Sequence, residues 1–149
     1  MRPILLVEDN RDDVLFMKRA MEKAGIINPL HVASDGKEAI EYLEKIAADS
    51  TVAGPPLPAL VLLDLQLPYV RGMDVLKWIR EQPALRALIV IIHSSSHLDV
   101  DIAQAYRLGA NSFLVKAPAA AELARMMKLI KEYWLELNAS IPDEAGKSV

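Results

Sequence analysis

The chain has 149 residues, a formal net charge of −3 and no cysteine, and its length corresponds to one domain, since domains span roughly 100–200 residues. The missing cysteine excludes disulfides and a thiol nucleophile, and the acidic excess lacks the basic balance typical of nucleic-acid binding proteins. The first apolar run, residues 4–7, is shorter than the roughly 7–15 residues of a signal peptide or the roughly 20 of a membrane helix. We therefore expect a soluble, cytoplasmic domain that binds neither nucleic acid nor membranes.

Five short apolar runs predict β-strands. They are rich in Val, Ile and Leu and show little polar alternation, which is typical of strands buried on both faces of a parallel sheet. The predicted strands are residues 4–7, 30–33, 59–63, 88–92 and 112–115.

Segments that follow these strands carry apolar residues three or four positions apart and predict five helices. Gly25 and Gly109 suit the C-terminal ends of the first and fourth helices, Asp35 and Glu38 resemble a capping box before the second, and Pro118 suits the first turn of the fifth. The predicted helices cover about residues 14–24, 35–47, 73–80, 97–109 and 118–137. The repeated β-α order predicts a doubly wound α/β domain, with a proline-rich loop at 49–58.

Polar side chains follow four of the predicted strands. Glu8 and Asp9 come after the first strand, Asp64 after the third, Ser94 after the fourth and Lys116 after the fifth. Ligands of open α/β sheets bind at the carboxyl ends of the strands. If these four strands are neighbours, three carboxylates, a hydroxyl and an ammonium group converge on one edge of the sheet.

Three adjacent carboxylates repel one another unless a cation lies among them. A hard divalent cation with oxygen ligands, such as Mg²⁺, fits this set. A carboxylate can itself accept a phosphoryl group as an aspartyl phosphate, and phosphoryl transfer needs mainly positioning and charge neutralisation. The predicted edge is therefore suited to phosphoryl transfer.

The chain resembles the receiver domains of two-component response regulators over about residues 3–137. The motifs that carry the resemblance are ILLVEDN at 4–10, VLLDLQLP at 61–68, Gly72, Ser94, LGA at 108–110 and FLVK at 113–116. The resemblance implies a flavodoxin-like (βα)5 sandwich with strand order 2-1-3-4-5. It also implies a receiver domain over residues 1–138, followed by a polar tail at 139–149.

The resemblance assigns a role to each polar residue of the predicted edge. Asp64 would accept the phosphoryl group and Lys116 would contact it, while Ser94 would be the switch hydroxyl and Phe113 the switch aromatic side chain. The implied Mg²⁺ ligands are Asp9, Asp64 and the backbone carbonyl of Gln66, with Glu8 acting through water.

Several features narrow the resemblance to stand-alone receivers that serve bacterial phytochrome-type histidine kinases. They are the 49–58 loop, the EDNRDD segment at 8–13, the three serines at 94–96 and the Tyr-Trp pair at 133–134. The implied partner is a sensor histidine kinase, with the phytochrome type as the narrower match. Ala117 replaces the proline that usually follows the lysine, so we expect a trans bond, since a cis bond to Ala would cost about 2.5–4 kcal/mol.

The resulting prediction is a single-domain response regulator without a DNA-binding output domain. It would signal through the face of the fourth helix, fifth strand and fifth helix, and would not be a multiple-turnover enzyme on external substrates. Two alternatives stay open: an interaction module that needs no phosphorylation, and an aspartyl-phosphate hydrolase of the haloacid dehalogenase type. Those hydrolases carry a second Asp two residues after the nucleophile, where this chain has Gln66.

Three further interpretations concern the ends of helices. Asp9 taken alone suits a helix N-cap, and Asp12 and Asp13 suit the first helical turn because acids complement the helix dipole there. In the last helix, Tyr133, Trp134 and Leu137 extend beyond what a compact receiver must bury. Because aromatic side chains are enriched at interfaces, we expect a homodimer through this region.

Overall fold

Strands and helices alternate along the computed structural model, which describes residues 1–49 and 54–142. Within these residues the elements are β1 (Ile4–Val7), α1 (Arg11–Lys23), β2 (Leu30–Ala33), α2 (Gly36–Ala48), β3 (Leu60–Leu63), α3 (Gly72–Glu81), β4 (Val90–Ser94), α4 (Asp99–Arg107), β5 (Ser112–Val115) and α5 (Ala120–Ile130). A π-helical segment, Lys131–Leu137, continues α5. Parts of the predicted 49–58 loop and 139–149 tail lie outside the described residues.

The five strands form one parallel sheet in the order β2-β1-β3-β4-β5, which confirms the predicted fold class. In the register of the sheet, Val7 lies between Ala33 and Leu63, and Ser94 lies beside Val115. The carboxyl ends of β1, β3, β4 and β5 are therefore brought to a common edge.

The sheet is covered by helices on both faces, as expected for a doubly wound domain. Buried residues of α1 and α5 pack on one face, and those of α2, α3 and α4 pack on the other. Side chains alternate between the two faces along each strand, and for that reason the strands are mainly apolar, with His31, His93, Ser94 and Ser112 as polar members. In the described part of the chain, the helices are too short or too polar to cross a membrane.

Strand β4 begins two residues later than predicted. Leu88 is buried like a strand residue, but its N–H donates to Leu85 in a turn and its carbonyl accepts from Arg80 Nη1 at 2.7 Å. The apolar pattern alone does not distinguish such a turn from a strand. Because β4 is shifted by two residues, Ser94 is the last residue of the strand and does not follow it.

The start of α1 differs from the simplest interpretation of its sequence. Asn10, not Asp9, is the N-cap residue, and its Oδ1 accepts from the N–H groups of Asp12 and Asp13 at 2.9 and 3.0 Å. Asp12 and Asp13 lie in the first turn as predicted.

The predicted capping box of α2 is half present. Asp35 accepts the N–H of Glu38 at 2.7 Å, but the Glu38 carboxylate bonds to Ser34. The last helix also begins later than its proline suggests, since α5 starts two residues after Pro118.

Arg80 ties α3 to the turn between α4 and β5. Its Nε and Nη2 donate to the carbonyl of Gly109 at 2.9 and 2.6 Å, and Nη2 also donates to Asn111 Oδ1 at 2.9 Å. Gly109 has a φ of 103°, a left-handed conformation that glycine adopts without a steric penalty. The guanidinium group thus fixes the C-terminal end of α4.

Candidate functional site

The polar residues predicted to converge do meet at the carboxyl edge of the sheet. One carboxylate oxygen each from Glu8, Asp9 and Asp64 lie within 4.8 Å of one another, and we call these three residues the acidic cluster. Lys116 Nζ donates to Glu8 Oε1 at 2.5 Å and to Asp64 Oδ2 at 2.9 Å. Two carboxylates that are distant in sequence, those of Glu8 and Asp64, therefore share the ammonium group of Lys116.

Asp13 is a fourth acid at this site, and the sequence did not predict it. Its Oδ2 accepts from Lys116 Nζ at 3.0 Å, although the two residues are 103 positions apart. Asp12 and Asp13 look equivalent in the sequence, but successive helical residues point about 100° apart, so only one of them can face Lys116. A helical projection of α1, aligned with the carboxyl ends of the strands, would have distinguished the acid that faces the site from the one that faces solvent.

Burial sets the electrostatics of the acidic cluster. Glu8 is only 4% exposed, and burial, reinforced by the adjacent Asp64 carboxylate, raises its pKa to about 8. Burial alone would lower the pKa of Lys116, but hydrogen bonds to Glu8, Asp64 and Asp13 outweigh it and raise that pKa. Without a further cation, Glu8 therefore accepts a proton more readily than an exposed glutamate does.

The acidic cluster has the donor chemistry of a divalent cation site. Three carboxylates supply hard oxygen ligands, and together with Asp13 they place four acids around the single ammonium group of Lys116. Asp9 is exposed, which keeps one side of the site open to water. Gln66 adjoins the cluster as well, since its N–H donates to Asp64 Oδ1 at 3.1 Å.

The two predicted switch residues lie on neighbouring strands and on the same face of the sheet. Ser94 is fully buried, its Oγ accepts from the N–H of Ser96 at 3.2 Å, and its carbonyl accepts from the N–H of Lys116 at 2.7 Å. Phe113 is half-buried, lies beside Ile92 and packs against the core on the α3 side. A backbone hydrogen bond thus joins Ser94 directly to Lys116.

His93 precedes Ser94 in strand β4. It is 8% exposed and its Nε2 is buried without a hydrogen-bond partner in the described structure. Burial, together with the positive charge of Lys116, lowers its pKa to about 4. The imidazole is therefore neutral at physiological pH.

The loop between β3 and α3 places Asp64. The Gly72 N–H donates to the carbonyl of Leu65 at 3.1 Å, and a Cβ at Gly72 would collide with the carbonyl oxygen of Asp64. Tyr69 has a φ of 67°, and the N–H of Val70 donates to the carbonyl of Pro68 at 2.8 Å, which defines a γ-turn. Close backbone packing at a glycine therefore fixes the candidate phosphoryl acceptor.

The segment after Lys116 agrees with the predicted geometry. The peptide bond before Ala117 is trans, as are all others in the described chain.

In the last helical segment, Tyr133 and Leu137 are 52% and 79% exposed. Trp134 is partly buried, contacts the Tyr133 ring edge-to-face and packs against the α1–α5 core.

Comparisons with known proteins agree with this geometry. Residues 4–128 match the family model of the response regulator receiver domain. The chain is 40% identical over 137 residues to a probable methanogenesis regulatory protein, FilR2, of Methanothrix harundinacea, with 92% of this chain and 86% of the relative covered. It is 32% identical over 133 residues to the response regulator Rcp1 of Synechocystis, with 89% and 88% covered.

Two solved structures extend the likeness to the fold. The Mn²⁺-bound form of Rcp1 superposes with a TM-score of 0.82 at 30% identity, covering 95% of this chain and 100% of the other. The phosphorylated cyanobacterial phytochrome response regulator RcpA superposes with a TM-score of 0.83 at 31% identity, covering 95% and 99%. The chain belongs to the response regulator receiver domain family.

Proposed function

We propose that this chain is the phosphoacceptor of a two-component phosphorelay and that Asp64 takes the phosphoryl group from a sensor histidine kinase. The observation that carries the proposal is the 2.9 Å contact of Lys116 Nζ with Asp64 Oδ2 inside the acidic cluster. A nucleophilic carboxylate, a neutralising cation and a divalent metal site are the parts that aspartyl phosphorylation requires.

In the transfer, an Asp64 carboxylate oxygen forms a bond to phosphorus. The bond between phosphorus and the kinase histidine nitrogen breaks, and the nitrogen keeps the electron pair. Gln66 orients the nucleophile because its N–H holds Asp64 Oδ1, and Lys116 donates to a phosphoryl oxygen. Mg²⁺, held by Asp9, Asp64 and the Gln66 carbonyl, with Glu8 acting through water, would neutralise charge on the phosphoryl oxygens.

Phosphorylation then changes the face formed by α4, β5 and α5. The Ser94 hydroxyl turns toward the phosphoryl oxygen, away from its contact with Ser96, and the Phe113 ring moves inward on the same face of the sheet. The charge added at Asp64 thereby shifts the equilibrium between two conformations of the face formed by α4, β5 and α5. The receiver domain comprises residues 1–138 and is followed by the polar tail 139–149. It hydrolyses only its own phosphate and is not a multiple-turnover enzyme on external substrates.

The partner is a cytoplasmic histidine kinase of the phytochrome type. Support comes from two relatives of known structure, one described as a cyanobacterial phytochrome response regulator and one as a bacteriophytochrome response regulator, 36% identical over 95% of this chain. No nucleic acid or membrane takes part.

A second copy of the chain binds along the last helix. Strand β5 is an edge of the sheet, and beside it lies a largely apolar groove of about 610 Å³ whose lining includes Leu129, Tyr133 and Trp134. Leu129, Tyr133 and Leu137 are each more than half exposed. Leu129→Glu should convert a dimer to a monomer in sedimentation equilibrium, whereas Leu15→Glu, a similarly exposed leucine on α1, should not.

The acceptor assignment is tested with phosphoramidate and Mg²⁺, with mass measured before and after acid treatment. The wild-type protein should gain one acid-labile phosphate and Asp64→Asn none, while Asp74→Asn, which removes an exposed acid of α3, should behave as wild type. Equal labelling of the Asp64 variant would refute the assignment. A phosphate-free wild type would favour the interaction module, and repeated turnover on a small phosphate ester would favour a hydrolase.

A further inference from the structure

We infer that Asp13 is a positioning residue that draws the Lys116 ammonium group away from the acidic cluster and so allows a divalent cation to enter it. This inference rests on the proposed function only in that it takes the acidic cluster as the cation site. It gives a role to a residue whose sequence position indicates nothing beyond a favourable helix-dipole interaction.

The hydrogen bonds of Lys116 set up a competition. An ammonium group has three N–H donors, and these point to Glu8, Asp64 and Asp13 at 2.5, 2.9 and 3.0 Å. Two of the three acceptors belong to the acidic cluster, so Lys116 occupies oxygens that a cation needs. Asp13 lies outside the cluster and can remain bonded to Lys116 when the other two oxygens turn to the cation.

The Asp13 side chain starts from a fixed backbone. Its own N–H is held by the N-cap residue Asn10 at 3.0 Å, and α1 packs against the core through Met17 and Met21. The carboxylate therefore projects from a rigid helical turn. A carboxylate on a rigid backbone can hold the ammonium group in place, whereas a carboxylate on a flexible backbone would move with it.

Space is available on the Asp13 side of the lysine. A cavity of about 70 Å³ borders Glu8, Asp13 and Lys116, with Leu6, Phe16 and His93 among its other walls. This volume exceeds the space that one water molecule occupies. Lys116 can thus move toward α1 without displacing a core side chain.

Asp12 provides a matched comparison. It lies in the same first turn, carries the same charge and is exposed, but it is not among the three carboxylates that hold Lys116. Asp12→Asn therefore removes the same charge from the same turn without touching the lysine. A difference between the Asp13 and Asp12 variants reports the contact and not the helix dipole.

The experiment is titration calorimetry of chelator-treated protein with MgCl₂. Asp13→Asn should weaken Mg²⁺ binding about fivefold more than Asp12→Asn does, the size expected when contacting residues are coupled. Asp13→Glu, which keeps the carboxylate, should restore part of the affinity. In a Lys116→Met background, Asp13→Asn should weaken binding no more than Asp12→Asn, because the competing ammonium group is absent.

The inference would be overturned if the two Asn substitutions weakened Mg²⁺ binding equally. It would also be overturned if the effect of Asp13→Asn persisted unchanged in the Lys116→Met background, because Asp13 would then act by charge alone. Urea unfolding of each metal-free variant is the folding control, and each variant should show a cooperative transition like that of wild type. A wild type that binds Mg²⁺ with this coupling but takes no phosphate from phosphoramidate would sustain the inference and refute the proposed function. A wild type that binds no Mg²⁺ would refute the inference.

Discussion

The buried His93 makes the stability of this protein sensitive to mild acid. Its pKa is about 6.5 in the unfolded chain and about 4 in the folded one, because burial and the charge of Lys116 oppose protonation. Below pH 6.5 the unfolded chain therefore binds a proton that the folded chain does not. The contribution of the neutral imidazole is fully present above pH 6.5 and is lost progressively as the pH falls toward 4.

The size of the effect follows from the pKa difference. At about 1.4 kcal/mol per pH unit, the extra proton held by the unfolded chain from pH 6.5 down to pH 5 costs the folded state about 2 kcal/mol. Replacing His93 by Leu removes this loss. The same substitution also removes a buried nitrogen that has no hydrogen-bond partner in the described structure, so stability at pH 7.5 should not fall below wild type by more than about 1 kcal/mol.

The assay is urea unfolding in chelator at pH 7.5 and pH 5. The wild-type protein should lose about 2 kcal/mol more than His93→Leu between the two pH values. His97→Gln, which removes an exposed histidine four residues away, is the control and should lose as much as wild type. If His93→Leu and wild type lose the same free energy, the imidazole is not held neutral by the fold and the reasoning is wrong.

Three further predictions concern positions around the site. Gly72→Ala should cost about 1–3 kcal/mol in urea unfolding and slow phosphoramidate uptake, because the new methyl group collides with the Asp64 carbonyl; unchanged uptake would show that this packing does not position Asp64. Asn10→Ala should cost about 1 kcal/mol by loss of the cap, and a circular dichroism melt at wild-type temperature would contradict it. Arg80→Met should cost about 3 kcal/mol, because it leaves backbone carbonyls unpaired, whereas Arg86→Met, an exposed neighbour, should be near neutral.

The α/β class could be predicted from the sequence because each strand is a mainly apolar run, whereas the strand order was implied by the resemblance to receiver domains. Strands buried on both faces leave this pattern wherever they occur, and five such runs separated by helical spacing leave few topologies. The boundaries were less certain, as β4 shows: Leu88 is apolar because it is buried, not because it pairs in the sheet. The sequence pattern reports burial, and it cannot show whether a buried residue also pairs in the sheet.

The candidate site was predictable to the extent that it follows strand ends. Glu8, Asp64 and Lys116 were expected to converge, since their positions depend only on the order of parallel strands. Asp13 could not be found in this way, because its contact depends on how α1 is rotated against the sheet and on the length of the lysine side chain. The widened π-helical turn after Ile130 was also invisible, since apolar residues three and four apart suit both kinds of helix.

The two ends of α4 are held in different ways. The hydrogen bonds of Arg80 to Gly109 hold the C-terminal end against α3, whereas the N-cap residue Leu98 makes no side-chain capping bond. The preceding loop is joined to the helix by the 2.5 Å hydrogen bond from Ser96 Oγ to Asp101 Oδ2. If Ser94 moves on phosphorylation as proposed, we expect α4 to turn about its anchored end at Gly109, with the largest displacement at its first turn.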